Sequence, residues 1–420
     1  MGKRRNRAAA GRPGQGSSQA EGLKDSFLEL LGDGLFDSVS DGNMVVDEGC
    51  SKNAVASGPQ ELIKGLPDDL VRQWILPRAN PASYAQMKKV SRGWRSLIEE
   101  GELFRLRKEQ GLTTEMLCVT HEGQGWELFN PKEGNWSYME WEAEALKKTV
   151  RHRCVGVGSK LYFLGGQLAG SVRRDVYVYD LERGKWSRAN NMSIPRADFA
   201  CCTDGARIWV AGGSMSYYSR DGEVYHPEDD TWVPLPSLVD RHFGTMGNRH
   251  LQGLWIRDRF LVEPGHAIFD PEASTWTFLA NADAESESPY MVANVGGELY
   301  GARHAPGDDG RHARIDWIDL DTAMPAGSVN KDFIRKRKAS APPTQNCSRY
   351  KFGMAGLNGR LYVFGGKVKA GLPGKRRRRK DVGSVEVYNP MPTKDEPEWK
   401  AVKTMGRTKG EIRTWTTVVA

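Results

Sequence analysis

The residue types that most often bind metals or act as nucleophiles are present but scattered. The chain of 420 residues has eight histidines and six cysteines, the latter at Cys50, Cys118, Cys154, Cys201, Cys202 and Cys347. The histidines form no HxH or HExxH pair and the cysteines no CxxC pair, so neither set has the spacing of a metal site. We therefore predict reduced core thiols, with no metal, no cofactor and no catalytic residue.

Three apolar stretches end in a glycine pair, a feature that also occurs in phosphate-binding loops. The pairs are Gly165-Gly166, Gly212-Gly213 and Gly365-Gly366. A phosphate loop needs a following Lys-Ser or Lys-Thr at the start of a helix, and none of these pairs has one. Glycines also permit dihedrals and close backbone approach that a Cβ would forbid. The pairs indicate a structural repeat rather than a nucleotide site.

A basic run could bind phosphates or act as a nuclear localisation signal. It consists of Lys375, Arg376, Arg377, Arg378, Arg379 and Lys380. No aromatic residue is interleaved, which disfavours a single-stranded nucleic-acid surface. Burying such a charge block would be very costly, so we predict an exposed loop. Nuclear import and a merely solvated loop both remain open, and nucleic-acid binding is less favoured.

The overall composition is that of a soluble globular protein, with 39% hydrophobic and 27% charged residues. The net charge of +7 comes largely from local clusters at 3–7, 335–338 and 375–380, so a generally basic surface is not implied. No stretch has the roughly 18 consecutive apolar residues of a membrane helix, and the N-terminus lacks the apolar core of a secretory signal. These features predict a protein of the nucleus, the cytoplasm or both.

The strongest pattern in the sequence is a repeat of 44 to 50 residues. An apolar alternating stretch ends at Asp, Asn or His, and a tryptophan follows six positions later. The four clear copies run from Asn130 to Trp136, Asp180 to Trp186, His226 to Trp232 and Asp270 to Trp276. Two degenerate copies are 315–320, which lacks the tryptophan, and 385–390, which reaches its tryptophan only at Trp399. The chain therefore holds six units.

Each unit reads as four short strands, which is one blade of a β-propeller. The tryptophan is expected to fill the gap between adjacent sheets. The first unit, from Met116, has only three strands, whereas the chain ends on an extra strand at 412–420. If that last strand completes the first blade, the ring closes and no open sheet edge remains. We predict a mainly β fold with a six-bladed propeller over 115–420, and any miscount of blades is expected between Arg241 and Asn330.

The glycine pairs and the spaced tryptophans resemble the kelch repeat, and this resemblance covers residues 115 to 420. In kelch propellers the position before each innermost strand tends to line a binding face. The residues at that position are Arg151, Arg153, Arg196, Arg241 and Arg349. A ring of arginines could clamp acidic or phosphorylated groups of a target protein. The alternative, equally favoured, is that each arginine hydrogen-bonds backbone carbonyls at the blade entrance.

Ahead of the propeller lie a polar tail and a short helical segment. Residues 1–58 have too little apolar content to offset the entropy of ordering, so we predict disorder. Residues 60–110 predict three short helices, opened by Pro67, by Asn80-Pro81 and by Ser91. Fifty such residues can barely form an independent core, so the segment is expected to dock onto a partner or a neighbouring domain.

Two stretches of this segment resemble the ends of an F-box. They are Gly65-Leu66-Pro67-Asp68-Asp69-Leu70 and 90–98, which reads VSRGWRSLI. The resemblance implies docking onto the Skp-type adaptor of a cullin-based SCF ubiquitin ligase, through Leu66, Pro67, Leu70, Val90 and Trp94. The middle, 73–80, departs from the usual Leu/Ile-rich pattern. The joining sequence 111–115, GLTTE, also resembles plant F-box/kelch proteins.

Together these features predict a non-catalytic substrate receptor that brings a target protein to a ubiquitin ligase. Its partners would be the adaptor, a cullin through that adaptor, and a target of unknown identity. The alternative is a stand-alone kelch scaffold or nuclear binding protein whose helices only brace the propeller. The two hypotheses make different predictions, because the alternative expects no adaptor binding and a strongly salt-dependent affinity for nucleic acid that is lost when residues 375–380 are neutralised.

Overall fold

A computed structural model describes the helical segment and most of the strands. The described residues are 61–121, 125–142, 144–213, 222–237, 251–263, 267–278, 291–304, 313–318, 336–338, 349–350, 352–370, 378–381, 383–390, 399–405 and 412–420. The predicted disordered tail, Arg241 and the first half of the basic run, Lys375 to Arg377, lie outside them.

The helical unit, residues 61–110, contains the predicted helices with one further break. The first, α1 (Asp68–Leu70), continues as a π-helical turn (Val71–Ile75) and a 3-10 turn (Leu76–Arg78). A 3-10 turn (Pro81–Ser83) leads into α2 (Tyr84–Met87), followed by α3 (Arg92–Glu99) and α4 (Glu102–Glu109). Gly101, at φ +76, separates the last two helices. A short helix, α5 (Glu144–Lys148), lies within the propeller region.

Asn80 and Ser91 cap helices as their types predict. The Asn80 Oδ1 accepts a hydrogen bond from the Ala82 N–H at 3.0 Å, and the Ser91 Oγ accepts one from the Trp94 N–H at 3.1 Å. A polar side chain at this position satisfies a backbone donor that the helix itself leaves unpaired. The sequence therefore fixes the starts of these two elements locally.

Six four-stranded antiparallel sheets make up the propeller, and we call them blades 1 to 6. From the axis outward, blade 1 has Ile412–Val419, Glu115–His121, Gly125–Asn130 and Asn135–Glu140. Blade 2 has Arg153–Val157, Lys160–Leu164, Val176–Asp180 and Lys185–Ala189. Blade 3 has Ala200–Thr203, Ile208–Ala211, Gly222–His226 and Thr231–Pro234.

The remaining blades lie where the sequence pattern is weakest and at its end. Blade 4 has Gln252–Ile256, Arg259–Glu263, Ala267–Asp270 and Thr275–Phe278. Blade 5 has Met291–Val295, Glu298–His304, Ala313–Ile318 and Lys336–Lys338. Blade 6 has Gly353–Leu357, Arg360–Phe364, Val385–Tyr388 and Trp399–Val402. Blades 4 and 5 form four-stranded sheets even though they lack the glycine pair.

The last strand of the chain closes the ring, as predicted. It pairs antiparallel with the first strand of the propeller, from Glu115 opposite Val419 to His121 opposite Ile412. The innermost strands contact one another in an unbroken circle from blade 1 through blade 6 and back. At the junction, Thr114 and Ala420 exchange two backbone hydrogen bonds of 2.8 and 2.9 Å. The kelch-type propeller expected from the repeat is thus confirmed.

The repeated tryptophans fasten neighbouring blades together. Each of three indole N–H groups donates to a carbonyl just beyond the outermost strand of the preceding blade: Trp136 to Lys403 (3.1 Å), Trp232 to Asn190 (2.9 Å) and Trp276 to Pro236 (2.9 Å). Trp186 instead joins an aromatic cluster with Trp126 and Tyr179, and Trp399 packs on Tyr388. The predicted role between sheets is confirmed, and the repeated hydrogen bond is an addition.

All six glycines of the three pairs have positive φ, between +57° and +99°. A side chain at Gly165 would collide with the Arg196 carbonyl, and one at Gly213 with Phe199. Both dihedral freedom and close approach therefore require glycine here, as the sequence suggested.

Among the described residues, blades 2 and 6 carry a hairpin inserted between their second and third strands. In blade 2 it consists of Gln167–Leu168 and Ser171–Val172, and in blade 6 of Lys367–Ala370 and Arg378–Asp381. Arg349–Tyr350 adds a third strand to the latter. The second half of the basic run is therefore a strand and not the loop that we predicted. The prediction was wrong because the backbone of Arg378–Asp381 pairs with Lys367–Ala370 in an antiparallel ladder, and a run of charged residues does not by itself prevent such pairing.

Candidate docking surfaces

The helical unit exposes an apolar face that the propeller does not cover. Its large apolar side chains are exposed by 38% at Leu66, 44% at Leu70, 56% at Trp74 and 58% at Val90. Pro67 is also exposed. Only two other large apolar side chains among the described residues, Val233 and Val419, are comparably exposed. Such a concentration on one small unit is typical of a protein-binding surface.

Four of the five residues predicted to contact an adaptor lie on this exposed set, and Trp94 does not. Trp94 is 2% exposed and belongs to the core of the helical unit, with Val71, Leu97 and Ile98. Its indole N–H donates to the Leu62 carbonyl at 2.8 Å. Its assignment as an adaptor contact is therefore corrected: Trp94 holds the unit together. Spacing alone could not show this, because helical periodicity does not say which face is covered.

Trp74 is the residue that the sequence reasoning missed. It lies in the segment 73–80 that departs from the F-box pattern, and it precedes Leu76 and Pro77, which are both buried. The available signal was its position four residues after Leu70, since residues four apart share a helical face.

A second face of the helical unit packs on blades 1 and 2. The Lys88 Nζ donates to the Gly184 carbonyl at 2.9 Å and lies 3.4 Å from the Arg183 carbonyl. The Asn80 Nδ2 donates to the Ser137 Oγ at 3.3 Å, and Ala82 packs against the core shared by the two blades. The residues that brace the propeller are therefore different from those on the exposed apolar face.

The predicted arginine ring is not a ring of free cations. Arg196 is fully buried: its Nε lies 3.0 Å from Glu223 Oε1, and its Nη1 donates to the Gly212 carbonyl at 2.7 Å. Arg153 donates to the carbonyls of Phe199 and Leu251, both at 2.6 Å. The prediction that these two arginines bind a target is therefore corrected, and their role is structural. They donate to backbone carbonyls at the blade entrances, which have no hydrogen-bond partner in a neighbouring strand.

Arg151 differs from these two. Its side chain is half exposed and lies 3.4 Å from Asp198. Arg241 lies outside the described residues, and of Arg349 only the backbone is described. A target-binding role of these three stays a prediction.

The exposed helical face and the blade entrances belong to opposite ends of the propeller. In an antiparallel blade, the turn between the third and outermost strands leaves at one end. The link to the next blade leaves at the other. The helical unit contacts Arg183 and Gly184, in the former turn of blade 2, whereas Arg151 lies in the link between blades 1 and 2. The helical unit thus lies at one end of the propeller, and the blade-entrance links lie at the other.

Burial shifts the pKa values of several titratable side chains among the described residues. Burial lowers the pKa of His152 to about 4, so its ring is neutral near pH 7. Burial also raises the pKa of Cys201 to about 12, and those of Cys154 and Cys202 well above the ordinary value. Buried protonated thiols are poor nucleophiles. Within the described ranges, no three His, Cys, Asp or Glu side chains gather to hold a metal.

No helix in the described part of the chain combines the length and apolarity needed to cross a membrane.

Comparison with known sequences agrees with this architecture. The kelch motif matches residues 148–193, 195–239 and 348–406, which belong to blades 2, 3 and 6 and are the three with the glycine pair. F-box/kelch-repeat protein SKIP30 of Arabidopsis thaliana is 28% identical over 86% of this chain and 97% of that protein. Another F-box/kelch-repeat protein of the same plant is 26% identical, over 83% of this chain and 81% of the relative.

F-box/kelch-repeat protein SKIP11, also from Arabidopsis thaliana, is 24% identical over 61% of this chain and 59% of that protein. The chain is therefore a kelch-repeat propeller protein, similar over most of its length to the plant F-box/kelch-repeat proteins.

Proposed function

We propose that this protein is the substrate-recognition subunit of an SCF-type ubiquitin ligase. The helical unit docks the Skp-type adaptor, and through it a cullin, while the propeller holds a target protein for ubiquitination. The protein itself contributes no bond-making chemistry. It raises the rate of ubiquitin transfer by holding the target close to the ligase.

The observation that carries this proposal is the division of the helical unit into two faces. A pure brace would cover its apolar residues with the propeller. Here Tyr84, Lys88 and Asn80 contact the blades, and a second set, Leu66, Leu70 and Val90, stays exposed. Exposed apolar side chains on a unit that is already anchored are best explained by a further partner.

Adaptor capture tests the proposal directly. The full chain and a Leu66→Asp/Leu70→Asp variant are expressed with a tagged plant Skp-type adaptor and recovered by the tag. We expect the full chain to co-purify and the variant to be lost, because a carboxylate cannot enter an apolar contact without a large desolvation cost. Val233→Asp is the matched control, since Val233 is similarly exposed but lies on blade 3.

Equal recovery of the full chain and the Leu66/Leu70 variant would contradict the adaptor assignment. Absence of adaptor binding by the full chain would favour the alternative, a kelch scaffold outside the ubiquitin pathway. The target is sought in a separate experiment. The intact chain and a chain lacking residues 60–110 are each recovered from cells under proteasome inhibition, and the proteins bound to the two are compared.

A further inference from the structure

Trp74 stands out on the exposed helical face because the local backbone turns it outward. In the π-helical turn Val71–Ile75, the Leu76 N–H reaches back five residues to the Val71 carbonyl. This wider turn allows Val71 and Leu76 to be buried together, while Trp74 remains 56% exposed. Single π turns inside helices are rare and occur often at functional sites.

The backbone on both sides of Trp74 is held by α4 and by Gln110, the residue that follows it. The Gln110 Nε2 donates to the Gln73 carbonyl at 2.6 Å. The buried Arg107 guanidinium donates to the Pro77 and Ala79 carbonyls. An exposed aromatic residue on a backbone held in this way loses little conformational freedom when it binds, so more of its contact energy appears as affinity.

The group beside the indole defines the chemistry of the partner. The Arg78 guanidinium lies 5.8 Å from the ring centroid and donates to the Trp74 carbonyl. Arg78 is itself exposed. A partner that takes up this pair needs an apolar pocket for the indole and an acidic rim for the guanidinium.

We propose that Trp74, with Arg78 stacked on it, is the anchor of the adaptor-docking face and that it inserts into an apolar, acid-rimmed pocket of the adaptor. This inference rests on the proposed function, and it names a determinant that the F-box resemblance does not supply. Leu66, Leu70 and Val90, which are also exposed on the helical unit, would supply the further apolar contacts with the adaptor.

The test is a titration of the full chain with a purified plant Skp-type adaptor, measured by calorimetry at two salt concentrations. Trp74→Ala is expected to weaken binding about thirtyfold or more, as for a central aromatic anchor. Arg78→Gln is expected to weaken it severalfold at low salt and less at high salt. Val233→Ala, a similarly exposed apolar residue on blade 3, should leave the affinity unchanged. Thermal melting of each variant should match the parent, since the replaced side chains are exposed.

The outcomes separate the anchor from the docking function. If the parent binds the adaptor and Trp74→Ala binds equally well, the anchor is wrong and the docking function stands. If the parent does not bind, both fall. A concentration-dependent dimer of the chain that Trp74→Ala abolishes, without adaptor binding, would assign the face to a second copy and would also overturn the proposal.

Discussion

At the scale of single residues, the arginines at the blade entrances show how much surroundings alter a side chain's role. Arg196 and Arg151 occupy comparable links, yet the first is buried against Glu223 and the second faces solvent. The Glu223 carboxylate also accepts the Ser193 N–H at 2.9 Å. The Arg196–Glu223 pair therefore joins the link, the glycine pair of blade 3 and its third strand.

We expect Arg196→Leu to lower the free energy of unfolding by about 3 to 5 kcal/mol, because it leaves a carboxylate buried without its cation. Arg151→Ala should cost less than about 1 kcal/mol, as for exposed ion pairs. Denaturant titrations followed by circular dichroism measure both. The double variant Arg196→Leu/Glu223→Leu should recover part of the loss, and equal effects of the Arg196 and Arg151 variants would contradict this role.

At the scale of elements, the closing strand 412–419 contacts two blades. It pairs with the second strand of blade 1, and its threonine hydroxyls also reach across to blade 2. The Thr414 Oγ1 accepts the buried Cys154 N–H at 3.1 Å, and the Thr416 Oγ1 accepts the Gly156 N–H at 2.9 Å. Side chains thus supply hydrogen bonds that a sheet ladder would otherwise make between these two blades.

Thr414→Val should destabilise the protein by about 1 to 3 kcal/mol, because a buried backbone N–H loses its acceptor while the shape of the side chain is kept. Thr417→Val, on the same strand, should change stability by less than about 0.5 kcal/mol. Hydrogen exchange at Cys154 provides a local readout, and it should speed up in the first variant only. Unchanged exchange at Cys154 in the Thr414→Val variant would show that the Thr414 hydroxyl does not stabilise the contact between blades 1 and 2.

At the scale of the whole molecule, the helical unit is mounted on one end of the propeller through the turn at Gly184. A Cβ on Gly184 would lie 3.1 Å from the Tyr84 Cβ, and the Gly184 carbonyl accepts the Lys88 ammonium. Gly134 occupies the equivalent turn of blade 1 with a similar positive φ and nothing within 4 Å. A substitution at Gly134 therefore reports backbone strain alone, whereas one at Gly184 reports the same strain together with crowding against Tyr84.

We expect Gly134→Ala to cost about 1 kcal/mol, the penalty of a left-handed conformation for an L-residue. Gly184→Ala should cost more and should also increase hydrogen exchange in α2, since the added methyl pushes against Tyr84. Calorimetry and exchange mass spectrometry measure the two effects. If both substitutions lower the free energy of unfolding equally and exchange in α2 is unchanged, the contact between the Gly184 turn and Tyr84 does not fix the position of the helical unit.

The sequence by itself determined the repeating framework. Glycine pairs and tryptophans act through local geometry and a fixed strand period, so their spacing predicted the propeller, and the count of strands predicted its closure by the last strand. Helix caps at Asn80 and Ser91 were equally readable, because capping depends only on neighbouring residues.

Only the tertiary structure decided which side chains are free. The burial of Trp94 and Arg196, the exposure of Trp74 and the strand at Arg378–Asp381 depend on which distant surface covers each residue. A pattern of residue types does not contain that information, because the same helical or strand face can meet either solvent or protein. The docking surfaces therefore had to be located from packing, whereas the fold could be predicted from spacing.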